Sequence, residues 1–283
     1  MRDPRDDFRT ETPPNLHGKH VLLVGCGSVG GFLAWQAASA GFTQLTLVDR
    51  DSLEAKNLRR HCCGQGDIGR HKVNALADFL QERFPLLQLE QVVLDVLESP
   101  HELRGLLATA ALVLVAVDAE GPKHLLDAMA REMGIPTLYV GIYGGGWAGE
   151  IILSEATTPC YACSARTFGR VGIKLEAAAF PADYDLPDLK RTASEWLHAD
   201  LTSIIPLGAL AVRLASAILA QTTHPHLRTE FGESSAWRFA FRHVAAWELP
   251  PWCLQPVAVS RTNNCPNCTG LSQTTTLHHL LEK

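Results

Sequence analysis

The segment His20–Gly31, HVLLVGCGSVGG, constrains the fold of this chain more than any other. An apolar run, His20–Val24, ends directly on a glycine turn and passes into an alanine-bearing stretch, Phe32–Ala40, which Gly41 stops. A short strand that is apolar on both faces belongs in a buried parallel sheet. The turn itself, Gly25-Cys26-Gly27-Ser28-Val29-Gly30, has GxGxxG spacing. Its glycines let the backbone approach a phosphate, and the helix that follows offers N–H donors and the positive end of its dipole. Leu45–Val48 reads as the next strand and ends at Asp49, 24 residues after Gly25, where a carboxylate can take ribose hydroxyls. Strand, turn, helix and acid in this order predict nucleotide binding without deciding between NAD, FAD and ATP.

The alternation continues. Val73, Leu76, Ala77 and Leu80 recur at helical spacing over Lys72–Arg83, before Pro85. Val92–Leu94 and Leu112–Val117 read as strands, the second leading to Asp118; Lys123–Met133 reads as a helix and Pro136–Gly141 as a strand. The fold class is therefore α/β: a Rossmann-like, doubly wound, mostly parallel sheet. Beyond residue 142 the glycines and short β runs suit antiparallel strands, so the sheet is expected to continue into an antiparallel portion. Residues 164–200 carry charges, prolines and little periodicity, as a long loop does. Ile205–Ala220 is apolar nearly all round and reads as a helix packed on the sheet. The expected organisation is a lead-in over 1–18, a nucleotide-binding part over 19–141, and a part over 142–283 integrated with it.

Composition narrows the function. Lys and Arg number 25 against 30 Asp and Glu, a net charge of −5. This offers no basic excess to neutralise a nucleic-acid backbone, so no nucleic-acid partner is expected. The run Leu106–Val117 is too short to cross a bilayer and reads as a helix end entering a buried strand, so no membrane role is expected. The first fifteen residues are charged and proline-bearing, without the apolar region of a signal peptide. A cytoplasmic setting is expected, in which the eight cysteines are thiols or metal ligands rather than disulfides.

Two further groups carry chemistry. Just past Asp49 and Asp51, the segment Asp51–Lys72 concentrates Lys56, Asn57, Arg59, Arg60 and Lys72. Arg binds phosphate bidentately and Lys as a point charge, so this density suits a triphosphate better than a dinucleotide; a solvated basic face is the plainer reading. Cys160-x-x-Cys163 and Cys265-x-x-Cys268 together make a four-thiolate set suited to tetrahedral, structural Zn²⁺. The 101 intervening residues mean that such a metal would staple distant parts of the chain, unless the two pairs are unrelated.

Taken in order, GxGxxG, Asp49-x-Asp51, Asn57-Leu58-Arg59-Arg60, Asp67–Lys72 (DIGRHK), the strand ending near Asp118, the segment running into Cys160 and Cys163, and the CPNC at Cys265–Cys268 resemble the ThiF/MoeB/HesA family, relatives of the ubiquitin-activating enzymes. The resemblance implies that Gly25, Gly27 and Gly30 hold ATP phosphates, that Asp49 and Asp51 belong to the nucleotide site with Asp49 on the ribose, and that Asn57, Arg60 and Lys72 contact the triphosphate. It implies that Asp118 positions Mg²⁺ and that the four cysteines bind zinc. The implied reaction is adenylation of a C-terminal carboxylate on a ubiquitin-like or sulfur-carrier protein ending in glycine, by an ATP-dependent adenylyltransferase. A homodimer is also implied. Arg60, Lys72 and Asp118 are the implied catalytic residues, acting by alignment and charge neutralisation, since the carboxylate is already ionised.

The chain departs from that family in places. Many members carry a further cysteine on the loop after the first zinc pair, whereas residues 164–205 contain Ser194, Thr202 and Ser203 but no thiol. Val115 stands where an aspartate usually precedes the magnesium acid, and only Arg2, Arg5 and Arg9 are available as an N-terminal arginine. Cys62 and Cys63, near basic neighbours, and Cys253 are unassigned thiols, and Cys26 reads as a small filler. His278 and His279 read as tail residues. The remaining alternatives are a non-catalytic scaffold for a ubiquitin-like protein, adenylation of a peptide or a tRNA nucleoside carboxylate, and an NAD(P)-dependent oxidoreductase.

Overall fold

The structure, a computed structural model, describes residues 16–143, 146–168, 199–220, 228–243, 249–263 and 265–269. Its elements are β1 (His20–Val24), α1 (Ser28–Ser39), β2 (Gln44–Val48), two 3-10 turns (Ala55–Arg60 and Gln65–Asp67), α2 (Lys72–Arg83), β3 (Gln88–Val92), α3 (Pro100–Leu107), β4 (Leu112–Val115), α4 (Glu120–Glu132), β5 (Thr137–Ile142), β6 (Ala148–Ser154), α5 (Tyr161–Thr167), α6 (Leu201–Leu219), β7 (Ala236–Ala240), β8 (Cys253–Pro256) and α7 (Pro266–Thr269).

One eight-stranded sheet runs in the order β3-β2-β1-β4-β5-β6-β7-β8. The first five strands are parallel and the last three antiparallel. Alternate residues of each strand feed opposite faces, as the pleat requires. Val21 and Leu23 of β1 join a core with Leu33 and Ala37 of α1, Leu76 and Leu80 of α2, and Leu207 and Leu214 of α6. Leu22 and Val24 join a second core with Leu103 of α3, Leu126 and Met129 of α4, and Tyr161 of α5. Helices on both faces make the sheet doubly wound, and β1, between β2 and β4, is where the chain changes direction of winding.

The periodicity over Lys72–Arg83 coincides with α2, and the run Leu106–Val117 divides into the end of α3 and strand β4, as expected. The expected strand at Val92–Leu94 is displaced: β3 covers Gln88–Val92, and Val93 is exposed. As an edge strand, β3 has polar residues on its outer side, and its alternation is weaker than a continuous apolar run. The helices at Phe32–Ala40 and Lys123–Met133 start earlier, at Ser28 and Glu120, because their first turns are rich in polar, glycine and proline residues, which the apolar periodicity does not mark. Part of the expected loop is helical: residues 164–167 close α5, and Thr202 and Ser203 lie in the first turn of α6, which begins at Leu201 rather than Ile205. There the Asp200 side chain caps the helix by accepting from the Thr202 N–H. By length and hydropathy α6 could cross a membrane, but it packs against α1 and the sheet. The Gln36 amide donates to the Ile205 carbonyl at 2.9 Å across that contact.

Candidate active site at the head of the parallel strands

The register places the C-terminal ends of β1, β2 and β4 level with one another, with Val24 paired to Val48 on one side and to Val115 on the other. Gly25, Asp49 and Ala116 therefore leave the sheet together. Gly25 has φ +95°, and an added Cβ would lie 2.6 Å from the Ala116 carbonyl oxygen. At Gly30 a Cβ would sit 1.8 Å from the Gly25 carbonyl oxygen. Both glycines are thus demanded by backbone packing. Around Gly27, by contrast, an added Cβ would meet nothing within 4 Å. Gly27 is the N-cap of α1 and receives no side-chain cap, which leaves open space in front of the helix N-terminus.

Asp49 anchors this turn. Its Oδ2 accepts the Cys26 N–H at 2.7 Å and its Oδ1 the Asp51 N–H at 2.8 Å. Asp51 in turn holds Lys72, whose ammonium lies 2.7 Å from Oδ2 with the Lys72 side chain only 11% exposed. Lys72 is therefore a cation kept at the first residue of α2, next to the glycine turn's own anchor. The basic residues of the intervening segment divide. Lys56 pairs with Glu54 in solvent, Arg59 is exposed, and the Asn57 side-chain oxygen caps the 3-10 turn by accepting the Glu54 N–H at 2.9 Å. Arg60 is half-buried, and its Nε is a buried donor without an acceptor among the described residues. A buried guanidinium donor left in that state costs free energy unless a ligand takes it. Asp118 lies past the end of β4, exposed and without a hydrogen-bond or ion-pair partner among the described residues. Val115, in place of an acid, is buried in β4.

The four cysteines of the two CxxC pairs meet. Cys160 and Cys265 sulfurs are 3.5 Å apart, Cys163 and Cys268 sulfurs 3.7 Å, and all four lie within 4.8 Å of one another. Tetrahedral zinc with sulfur at about 2.3 Å separates its ligands by about 3.8 Å, so this donor set fits Zn²⁺ in distance and chemistry. Burial pushes the Cys160 thiol far above its usual value, and nearby Asp127 adds to that. The Cys163 sulfur, despite burial, is held down to about 7 by hydrogen bonds from the Thr262 N–H and hydroxyl and from Cys160 and Cys265. Low-lying thiolate character at one sulfur is what metal capture needs.

Two residues that sequence reasoning passed over organise these sites. Asp127 of α4 is fully buried and accepts from the Ser154 hydroxyl at 2.6 Å, the Tyr161 N–H at 3.1 Å and the Asn267 amide at 3.0 Å. Tyr161 follows Cys160 and Asn267 lies inside the second CxxC, so one carboxylate ties both cysteine pairs to the core. Nothing in its sequence neighbourhood distinguishes it from a solvated helix acid. His61 is the other. Its signal was its position next to Arg60.

The remaining thiols are unremarkable as nucleophiles. Cys26 is wholly buried and pushed well up by desolvation and by Asp49, in keeping with a filler. Cys63 is pushed up by its contact with Cys62 and by burial. Cys253 opens β8, beside the exposed Trp252. Arg2, Arg5, Arg9, Ser194, His278 and His279 lie outside the described residues.

Fold and site together define an α/β protein with a glycine turn at the switch point of its parallel strands and a four-cysteine cluster that joins Cys160 and Cys163 to Cys265 and Cys268. The ThiF family profile matches residues 5–253, and the chain belongs to that family. The ATP-dependent ubiquitin transferase-like protein Cap2 of Pseudomonas aeruginosa is 33% identical over 155 residues, which are 52% of this chain and 27% of that protein. The molybdopterin-synthase adenylyltransferase of Escherichia coli is 29% identical over 155 residues, 54% of this chain and 61% of the relative. The chain thus spans only part of the length of these relatives. Among solved structures, that of E. coli MccB with ATP superimposes with a TM-score of 0.60 at 16% identity, covering 89% of this chain and 67% of that one. This likeness is one of fold.

Proposed function

We propose that the chain is an ATP- and Mg²⁺-dependent adenylyltransferase that activates the C-terminal carboxylate of a ubiquitin-like or sulfur-carrier protein ending in glycine. One observation carries the reading: the glycine turn at the switch point leaves an uncapped helix N-terminus in open space, its anchor Asp49 leads through Asp51 to Lys72, and next to His61, whose ring reaches the Cys26 carbonyl, Arg60 carries a buried Nε without an acceptor among the described residues. Two cationic side chains together with a helix N-terminus suit a triphosphate more than a dinucleotide. In this reading Gly25, Gly27 and Gly30 receive the phosphates and Asp49 the ribose. Asp51 presents Lys72, and Asn57, Arg60 and Lys72 contact the triphosphate. A carboxylate oxygen attacks the α-phosphorus, the bond to the bridging oxygen breaks, and pyrophosphate leaves. Arg60 and Lys72 align the phosphates and neutralise the charge that grows on the leaving group.

Mg²⁺, which neutralises phosphate charge when bound, would be held by Asp118, whose exposed, unpartnered carboxylate is free to ligate. Zn²⁺ would be held by Cys160, Cys163, Cys265 and Cys268 as a structural staple within the part 142–283, which forms one integrated domain with the part 19–141 behind the lead-in 1–18. A homodimer in the cytoplasm, without nucleic-acid or membrane partners, completes the proposal. The names of the relatives support the class of reaction.

The test is ligand-dependent thermal stabilisation, with ATP·Mg²⁺ against NAD(H), on the wild type and Asp118→Ala. A ligand at about 100 times its Kd stabilises by about 2.7 kcal/mol. Stabilisation by ATP·Mg²⁺, with the Mg²⁺-dependent part lost in the variant, supports the reading, and pyrophosphate exchange with glycine-ended carrier proteins then identifies the substrate. Stabilisation by NAD(H) alone overturns it, and binding of neither favours a non-catalytic scaffold.

A further inference from the structure

The peptide between Cys26 and Gly27 is gripped by a side chain from outside the turn. His61 follows the 3-10 turn that carries Arg60 and is 6% exposed. The Cys63 N–H points at its Nδ1 at 3.1 Å, so Nδ1 is the unprotonated nitrogen and Nε2 carries the proton. Nε2 lies 2.8 Å from the Cys26 carbonyl oxygen and donates to it. On the other side of the same residue, Asp49 takes the Cys26 N–H. Cys26 is therefore fixed at both its donor and its acceptor.

The consequence falls on the next residue. The described peptides are trans, and in a trans peptide the C=O and the following N–H point in opposite directions. With the Cys26 carbonyl drawn to His61, the Gly27 N–H is turned away from His61. It meets no acceptor among the described residues, and the space around Gly27 is open. If the grip were released, rotation of this peptide would replace an N–H with a carbonyl oxygen, exchanging a partial positive charge for a negative one.

We propose that His61 is a positioning residue that sets the Cys26–Gly27 peptide so that the Gly27 N–H is presented to a nucleotide phosphate. The proposal rests on the nucleotide reading above. Its action is confined to phosphate: the turn contributes nothing through this peptide to binding of a nucleoside alone.

The experiment is calorimetric titration of the full chain with ATP·Mg²⁺ and, separately, with adenosine, for the wild type, His61→Leu, His61→Gln and His61→Asn. Leucine has no donor, glutamine carries an N–H donor at a reach close to that of Nε2, and asparagine is a methylene too short. Loss of one such hydrogen bond to an oriented phosphate donor weakens ATP by about tenfold. The expected result is that loss in His61→Leu and His61→Asn, wild-type affinity within about twofold in His61→Gln, and unchanged adenosine affinity throughout. Equal ATP affinity in the asparagine and glutamine variants overturns the proposal, even if the leucine variant does not fold. Parallel losses for ATP and adenosine also overturn it, by showing that His61 only supports the fold. A wild type that binds adenosine and ATP equally overturns the phosphate role, and one that binds neither removes the nucleotide reading and this proposal together.

Discussion

Replacing Asp127 tests how the cysteine cluster is tied to the sheet. In Asp127→Ala two buried donors, the Ser154 hydroxyl and the Tyr161 N–H, and the half-buried Asn267 amide lose their acceptor at once. Each buried donor left unsatisfied costs about 1–3 kcal/mol, and partial relaxation brings the expected total to about 4 kcal/mol. Arg131, which also donates to the Ser154 oxygen and to the carbonyls of Glu155 and Thr158, loses a relayed partner but keeps its backbone acceptors. Asp127→Asn is different. Its Oδ1 still accepts from Ser154 and Tyr161, and Asn267 can turn its amide to offer oxygen to the new NH₂ group, so about 1 kcal/mol is expected. Urea unfolding of the purified metal-loaded chain gives both values. Thermal midpoints are expected to fall by roughly 10 °C for alanine and by a few degrees for asparagine. Chelator competition is expected to show zinc affinity reduced about 10- to 100-fold in the alanine variant, because Asp127 holds both cysteine pairs. If alanine costs no more than asparagine, the carboxylate is not what joins the two segments and the reasoning fails.

Other outcomes follow from the same geometry. Gly30→Ala forces a Cβ to 1.8 Å from the Gly25 carbonyl oxygen and is expected to abolish nucleotide-dependent stabilisation, whereas Gly27→Ala, with open space around it, is expected to keep the wild-type thermal midpoint of the ligand-free protein within about 2 °C. Asp51→Ala is expected to weaken ATP binding several-fold through loss of the 2.7 Å contact that places Lys72, without altering the fold measured by circular dichroism. Stripping metal with a chelator is expected to lower the thermal midpoint, with recovery on adding Zn²⁺ and none after Cys160→Ser. The Arg104 guanidinium, 2.7 Å from Glu132, holds that carboxyl below its usual value. A depressed carboxyl contributes stability above its unfolded pKa, about 4.3, and loses it as pH falls through the lower folded value. Thermal midpoints from pH 7 to 3 are expected to fall less steeply in Glu132→Gln than in the wild type.

The glycine turn, α2 and β4 were legible in the sequence because each depends on neighbours in the chain. A glycine at φ +95°, an apolar period of 3.6 and a four-residue apolar strand are local facts. The two CxxC pairs were legible as well, since paired thiols have few other uses in such a chain. Tertiary structure decided the rest. It placed β3 on an edge, where a half-polar strand suffices, and it brought the Cys160 and Cys265 sulfurs, 105 positions apart, to 3.5 Å. It separated Lys72, held beside the turn by Asp51, from Lys56 and Arg59, which face solvent, although all three belong to one basic stretch. It also gave Asp127 and His61 their places, since a side chain's role in gripping a distant backbone group depends on direction and burial. Those follow from the packing of α4 on the sheet and of the 3-10 turn on α1, which no local pattern of residues encodes.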